Sequence, residues 1–294
     1  MRPLDFSIMM LCCLAWAGNF VVGAWAVSHY PVPPFLLATV RAAIVVALTG
    51  GYLFVRRPEK FGLLLCICAL AGFFHLGFLY TGLQTASASS ASILSQMLTP
   101  LATLLSVIFL GEKIGWVRSI AIAGALFGVV FMVYEPSALN FDFGLIYILM
   151  AYVSLAIASV LMKRINVDWK IYVAWTSLLL LIGSAIASAL FETDHLAVFK
   201  QSYLPLMVAA GYAAVFVAIF AHGQYFRMLQ KYDVSIVVPL TLTTTVYASI
   251  LGVVLLDEVL SPRYIFGALI IMPCVFIIAR RQKSSKTAPE MIEP

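Results

Sequence analysis

The chain has 294 residues, 63% of them hydrophobic and 11% charged, with a formal net charge of +5 and a mean hydropathy of +1.03. A soluble domain carries about 25% charged residues, so this composition cannot furnish both a core and a water-facing surface. Water-soluble enzymes, nucleic-acid binders, disordered chains and disulfide-stapled secreted domains are thereby excluded, which leaves a polytopic, all-α integral membrane protein.

A helix crosses about 30 Å of hydrocarbon with about 20 mostly apolar residues. In chain order, ten such runs occur, at 6–27, 34–55, 61–83, 88–110, 116–134, 144–163, 169–190, 203–226, 234–256 and 263–279. No stretch shows the short alternating pattern of an outer-membrane strand. Lipid offers no partner to backbone amides, so each run is expected to be helical. Positive charge collects in short cytoplasmic loops. With both termini inside, fifteen Lys and Arg fall on that side, including Arg56, Arg57, Lys60, Lys113, Arg281, Lys283 and Lys286; only Lys200 and Arg263 fall outside, with Arg41 inside span 2. The basic end from Arg280 to Lys286 is expected to rest on anionic lipid heads, and the net charge reads as topology, with no nucleic acid as partner. The apolar run after MRPLD lacks a cleavage signature and reads as a retained first helix. Cys12, Cys13, Cys66, Cys68 and Cys274 all lie in spans without metal-ligand spacing, so neither metal nor cofactor is expected.

The chain also repeats. Gln84 to Glu112 reads QTASASSASILSQMLTPLATLLSVIFLGE, and Gln230 to Glu258, at an offset of 146, reads QKYDVSIVVPLTLTTTVYASILGVVLLDE. Arg118 to Phe131 aligns with Arg263 to Phe276, and Ala15-Trp16 resembles Ala151-Tyr152. Each unit holds five spans, an odd number, so the second is expected to lie inverted relative to the first: residues 1–138, then 139–279, then a cytoplasmic tail at 280–294. Inverted repeats are the plan of secondary transporters, with the substrate near the midplane between them.

The residues Trp16-Ala-Gly-Asn19, Arg41, Tyr80-Thr-Gly-Leu-Gln-Thr-Ala-Ser-Ala, Pro100 and Gly111-Glu112, with Pro239 and Leu256-Asp257-Glu258 in the second unit, resemble the EamA-type family of the drug/metabolite transporter superfamily. The resemblance covers nearly the whole chain. It implies a ten-helix inner-membrane carrier that exports small metabolites such as amino acids and their derivatives. Val246 stands where the second unit would match Pro100, which argues against a symmetric kink.

Polar residues within the spans mark the candidate site. Ser92, Gln96, Thr99 and Thr103 are spaced 4, 3 and 4 and share one face of span 4; such a stripe avoids lipid and faces either a partner helix or a wet cavity. Thr241, Thr244 and Thr245 are the counterparts in span 9. Trp16 and Asn19 share a face of span 1, Tyr152 and Ser159 a face of span 6, and Tyr212, Phe216 and Phe220 form an aromatic stripe in span 8 that could pack or line a pocket. The expected substrate-binding set is Trp16, Asn19, Tyr80, Gln96, Thr99, Tyr152, Tyr212 and Thr245. Arg41 lies about 10 Å into span 2; it either snorkels to the interface or serves as a carboxylate partner or gate. His75 and His222 alone among span residues could titrate near neutral pH, either as proton carriers or as satisfied structural histidines. No Asp or Glu lies deep in a span, which argues against cationic cargo. Gly124 and Gly128 permit close helix packing, within the chain or across a homodimer.

No hydrolase, Walker or zinc-protease motif is present, so no catalytic residue is expected. The expected activity is export of a small-molecule solute by alternating access. Uptake of a nucleobase or cofactor precursor on the same fold, and a receptor or scaffold without flux, are the alternatives.

Overall fold

The computed structural model describes residues 1–30, 32–55, 59–111, 114–135, 140–193, 195–232 and 234–280. The expectations placed on Arg56, Arg57, Glu112, Lys113 and the tail beyond Arg280 lie outside the described residues.

Among the described residues, nine helices are long and apolar enough to cross a membrane: α1 Pro3–His29, α2 Pro34–Phe54, α3 Phe61–Gly82, α4 Ala88–Leu110, α6 Phe143–Met162, α7 Trp169–Phe191, α8 Tyr203–Leu229, α9 Ile236–Leu256 and α10 Pro262–Ala279. Between α4 and α6 lies α5, Trp116–Met132, apolar but shorter. At 1.5 Å per residue it spans about 26 Å, because the chain beyond Val133 turns into a two-residue antiparallel pairing of Tyr134–Glu135 with Asn140–Phe141. The protein is an integral, multi-pass, all-α membrane protein.

Helix boundaries follow local chemistry. Proline opens α1, α2 and α10, where a missing N–H costs nothing. Ser87, Asp142 and Asp168 accept first-turn N–H groups of α4, α6 and α7. Helices α4 and α9 end alike. Gly111 adopts φ +66 after α4, and Asp257 adopts φ +52 after α9; these are equivalent positions of the repeat, and only one of them has the residue suited to a left-handed turn.

The principal packing partners come in matched sets. Helix α1 packs on α8 and α9 as α6 packs on α3 and α4; α2 packs on α8 as α7 packs on α3; α2 meets α7 and α5 meets α10. Small residues let these helices approach. A Cβ on Gly82 would lie 2.6 Å from the Gly144 carbonyl oxygen at the α3–α6 crossing. In α5, a Cβ on Gly124 would lie 2.9 Å from Cys274 Sγ and one on Gly128 2.8 Å from Ile271 Cγ1, both on α10. The two glycines therefore serve packing inside the chain.

The expected asymmetric kink is not observed: both repeat helices break. The α-helical ladder is interrupted at Gln96–Met97 in α4 and at Thr241–Leu242 in α9, positions 145 apart. In α4 the cause is Pro100, which has no N–H to offer the Gln96 carbonyl; that oxygen takes Thr99 N–H at 3.4 Å instead. In α9 no proline stands at the matching place. Thr241 and Thr243 there turn their hydroxyls back onto the Val238 and Leu240 carbonyls, and Thr244 N–H reaches the Thr241 carbonyl in a tight turn at 3.0 Å. Threonine back-bonding of this kind bends helices.

Candidate functional site

The two breaks face each other. Gln96 is buried, and its amide donates to Thr245 Oγ1 at 3.1 Å and to the Thr241 carbonyl at 3.5 Å. Thr245 donates in turn to the Ser92 carbonyl at 3.2 Å. Each helix thus sends a side chain beside its break to a backbone carbonyl of the other. The rest of the span 4 stripe is internal: Ser92 bonds the Ser89 carbonyl, Thr103 bonds the Thr99 carbonyl, and Thr99 itself is half-buried. Thr244 Oγ1 is buried without a hydrogen-bond partner.

A second pair of equivalent places lies where α1 meets α8 and α6 meets α3. The Trp16 and His222 rings are 5.7 Å apart, and the Tyr152 and His75 rings are 5.2 Å apart. Each histidine directly follows a widened π-helical segment, Leu70–Phe74 before His75 and Ala213–Ala221 before His222. Such segments gather at functional positions. His75 Nδ1 contacts the Ala151 carbonyl at 3.1 Å, whereas His222 Nδ1 contacts the Val217 carbonyl of its own helix at 2.8 Å. In the other half the carbonyl matching Ala151 is that of Ala15, and Tyr212 takes it, its hydroxyl donating at 3.1 Å. Gly18 makes this possible, since a Cβ there would overlap the Tyr212 hydroxyl.

Arg41 does not snorkel. It is 5% exposed, and its Nη1 donates to the Tyr80 hydroxyl at 3.1 Å. Asn19 is buried, and no hydrogen bond joins it to another described residue. One expectation fails on geometry. Ser159 faces outward and bonds only the Leu155 carbonyl, so it does not accompany Tyr152. The span 8 stripe keeps its Tyr212–Phe216 contact, the rings 5.2 Å apart, while the Tyr212 hydroxyl reaches α1 and Phe216 is 52% exposed. Tyr225, which stacks edge-on to Trp16 at 5.2 Å, and Asp5 were not anticipated. The three-residue spacing of Tyr225 from His222 was the available signal for the first.

The ends of the bundle are tied by carboxylates. Asp5, in the first turn of α1, pairs with Lys231 Nζ at 2.6 Å and accepts from the Tyr232 hydroxyl at 2.6 Å. Glu192, after α7, accepts from Phe35 and Leu36 N–H at the start of α2. Glu258, after α9, accepts from Ala88 and Ser89 N–H and from the Ser89 hydroxyl at the start of α4. Two recesses lie aside from these residues: an apolar one of about 570 Å³ between α4, α9 and α10, including Leu242 and Pro273, and one of about 490 Å³ between α7 and α8, including Trp169 and Arg227. Among the described residues no cluster of His, Cys, Asp or Glu could hold a metal ion.

The arrangement has relatives. The EamA-like transporter family matches the chain over residues 6–134 and 142–280. A chloroplast WAT1-related protein of Arabidopsis thaliana is 30% identical over 69% of this chain, which spans about half (51%) of that relative's length. The Escherichia coli protein named "Probable amino-acid metabolite efflux pump" is 26% identical over 94% of this chain and 95% of its own length. A solved crystal structure superposes with a TM-score of 0.59 at 21% identity, covering 97% of this chain and all of the other; that likeness concerns the fold alone.

Proposed function

This chain belongs to the EamA-like transporter family, and from that membership we propose that it exports small metabolites, amino acids and their derivatives first among them, by alternating access across the inner membrane. In this reading all ten helices cross the bilayer, with both termini in the cytoplasm. Residues 1–138 and 139–279 are the two inverted units, and one rocks against the other around a midplane site.

The observation that carries the reading is the reciprocal break. Gln96 of α4 bonds the broken turn of α9, and Thr245 of α9 bonds α4. Interrupted helices at a repeat interface are where secondary transporters bind their solutes. The matched packing partners of the two halves support the inverted plan, and the name of the E. coli relative supports amino-acid metabolites as cargo and export as direction. Trp16, Asn19, Tyr80, Gln96, Thr99, Tyr152, Tyr212 and Thr245 form the proposed solute site. Arg41, His75 and His222 are the charged or titratable groups beside it.

Counterflow in proteoliposomes tests the proposal. Vesicles preloaded with an unlabelled mixture of the twenty amino acids are expected to accumulate labelled amino acids, and protein-free vesicles are not. Equal accumulation in both would reject it. Direction is read in cells: a strain without the protein is expected to be inhibited by excess of the cargo, and starvation for that cargo would reverse the direction.

A further inference from the structure

We propose that the Arg41 guanidinium anchors a carboxylate, or a like anionic group, on the transported solute, with Tyr80 as the residue that positions it; this rests on the carrier reading above. A guanidinium has five N–H donors in a planar fork. Arg41 is 95% buried about 10 Å into α2, yet its one partner among the described residues is the neutral Tyr80 hydroxyl. Tyr80 is 1% exposed, so that contact holds the fork in a fixed orientation. The unused nitrogens of Arg41 are not among the sealed, partnerless atoms of the interior; they border accessible space.

Among the described residues no carboxylate is paired with Arg41, whose hydrogen-bond partner is Tyr80. Asp5 is bound by Lys231 and Tyr232, Glu192 by the start of α2, and Glu258 by the start of α4. His75 and His222 lie within electrostatic range of Arg41 and add no negative charge. A buried charge without a counter-ion is costly by several kcal/mol, and an ionisable group inside a membrane marks function. An incoming carboxylate removes that cost by accepting two parallel N–H bonds, a geometry that lysine cannot match. The same region repels an amine that lacks a carboxylate. The chemistry therefore separates amino acids and organic acids from their decarboxylated amines, although both share the same apolar bodies.

The test uses the purified full chain in liposomes. Counterflow is measured with a labelled pool of the twenty amino acids and, separately, with the corresponding decarboxylated amines. Wild type is expected to move the first pool and not the second. Arg41→Gln is expected to lose at least about tenfold in flux, since one hydrogen bond to a charged group contributes about 1.5–3 kcal/mol and 1.4 kcal/mol is tenfold. Arg41→Lys should keep part of that flux, and Tyr80→Phe should raise KM with little change in maximal flux. Undiminished amino-acid flux in Arg41→Gln would overturn the anchor and leave the carrier reading standing; amine flux equal to amino-acid flux would overturn it too. A second readout needs no flux: phenylglyoxal modification of Arg41, followed by peptide mass mapping. The amino-acid pool is expected to slow it several-fold and the amine pool to leave it unchanged. Equal rates would overturn the anchor, whereas protection without flux would sink the transport reading alone.

Discussion

Replacing Glu258 by Gln isolates the tie between the end of α9 and the start of α4. The native carboxylate uses both oxygens: Oε1 accepts from Ala88 N–H, while Oε2 accepts from Ser89 N–H at 3.1 Å and from the Ser89 hydroxyl. Glutamine has one oxygen, so whichever way its amide turns, one backbone N–H of the α4 first turn faces an NH2 group. Losing a hydrogen bond to a charged acceptor costs about 1.5–3 kcal/mol, and removing the anion from a helix N-terminus costs a further 0.3–1 kcal/mol or so. The expected loss is therefore roughly 2–4 kcal/mol. At about 2–4 °C per kcal/mol, the melting temperature in detergent should fall by roughly 4–16 °C. Intrinsic tryptophan fluorescence during heating reads this directly. Gly252→Ala supplies a charge-neutral control, because a Cβ there would overlap Glu258 Oε2; it should produce a comparable fall with the carboxylate intact. If both variants melt within about 1 °C of wild type, the carboxylate does not hold α4, and the reasoning fails.

Three further expectations follow from particular contacts. Asp257→Gly should leave melting unchanged or raise it by a degree or more, because the native aspartate sits at φ +52, a conformation that costs an L-residue about 1–2 kcal/mol; a clear fall would mean that its side chain matters more than its backbone. Gln96→Leu removes both donations to α9. At about 0.6 kcal/mol per interhelical bond in a membrane the stability change should be small, while counterflow should fall sharply, and unchanged flux would take Gln96 out of the site. Asp5→Asn weakens the tie to Lys231, whose side chain is 37% exposed. A pair with one exposed partner adds little to stability, so the variant should fold normally but speed labelling of a cysteine placed at position 9, now fully buried under α8 and α9; unchanged labelling would mean that the Asp5 tie does not hold this end of α1 against its neighbours.

The amino-acid sequence by itself determined the solvent and the elements. Runs of about 20 apolar residues have no other stable state in lipid than a helix, and the structure places helices on all ten runs, with α5 the short one. The repeat was legible too, since Gln84 to Glu112 and Gln230 to Glu258 keep their spacing of polar turn, hydroxyl-rich helix and acidic end. Proline was a sound signal in α4 and a misleading one in α9. A missing N–H is written in a single letter, whereas the bend at Thr241–Leu242 depends on which way threonine hydroxyls rotate and on the amide that Gln96 supplies from 145 positions away. Only the tertiary structure decided which polar residues meet. A helical face can be read from spacing, but its partner cannot, because tertiary packing joins residues far apart in sequence. So Arg41 came to rest on Tyr80 and away from the interface, Tyr212 on the Ala15 carbonyl, and Ser159 on the outside.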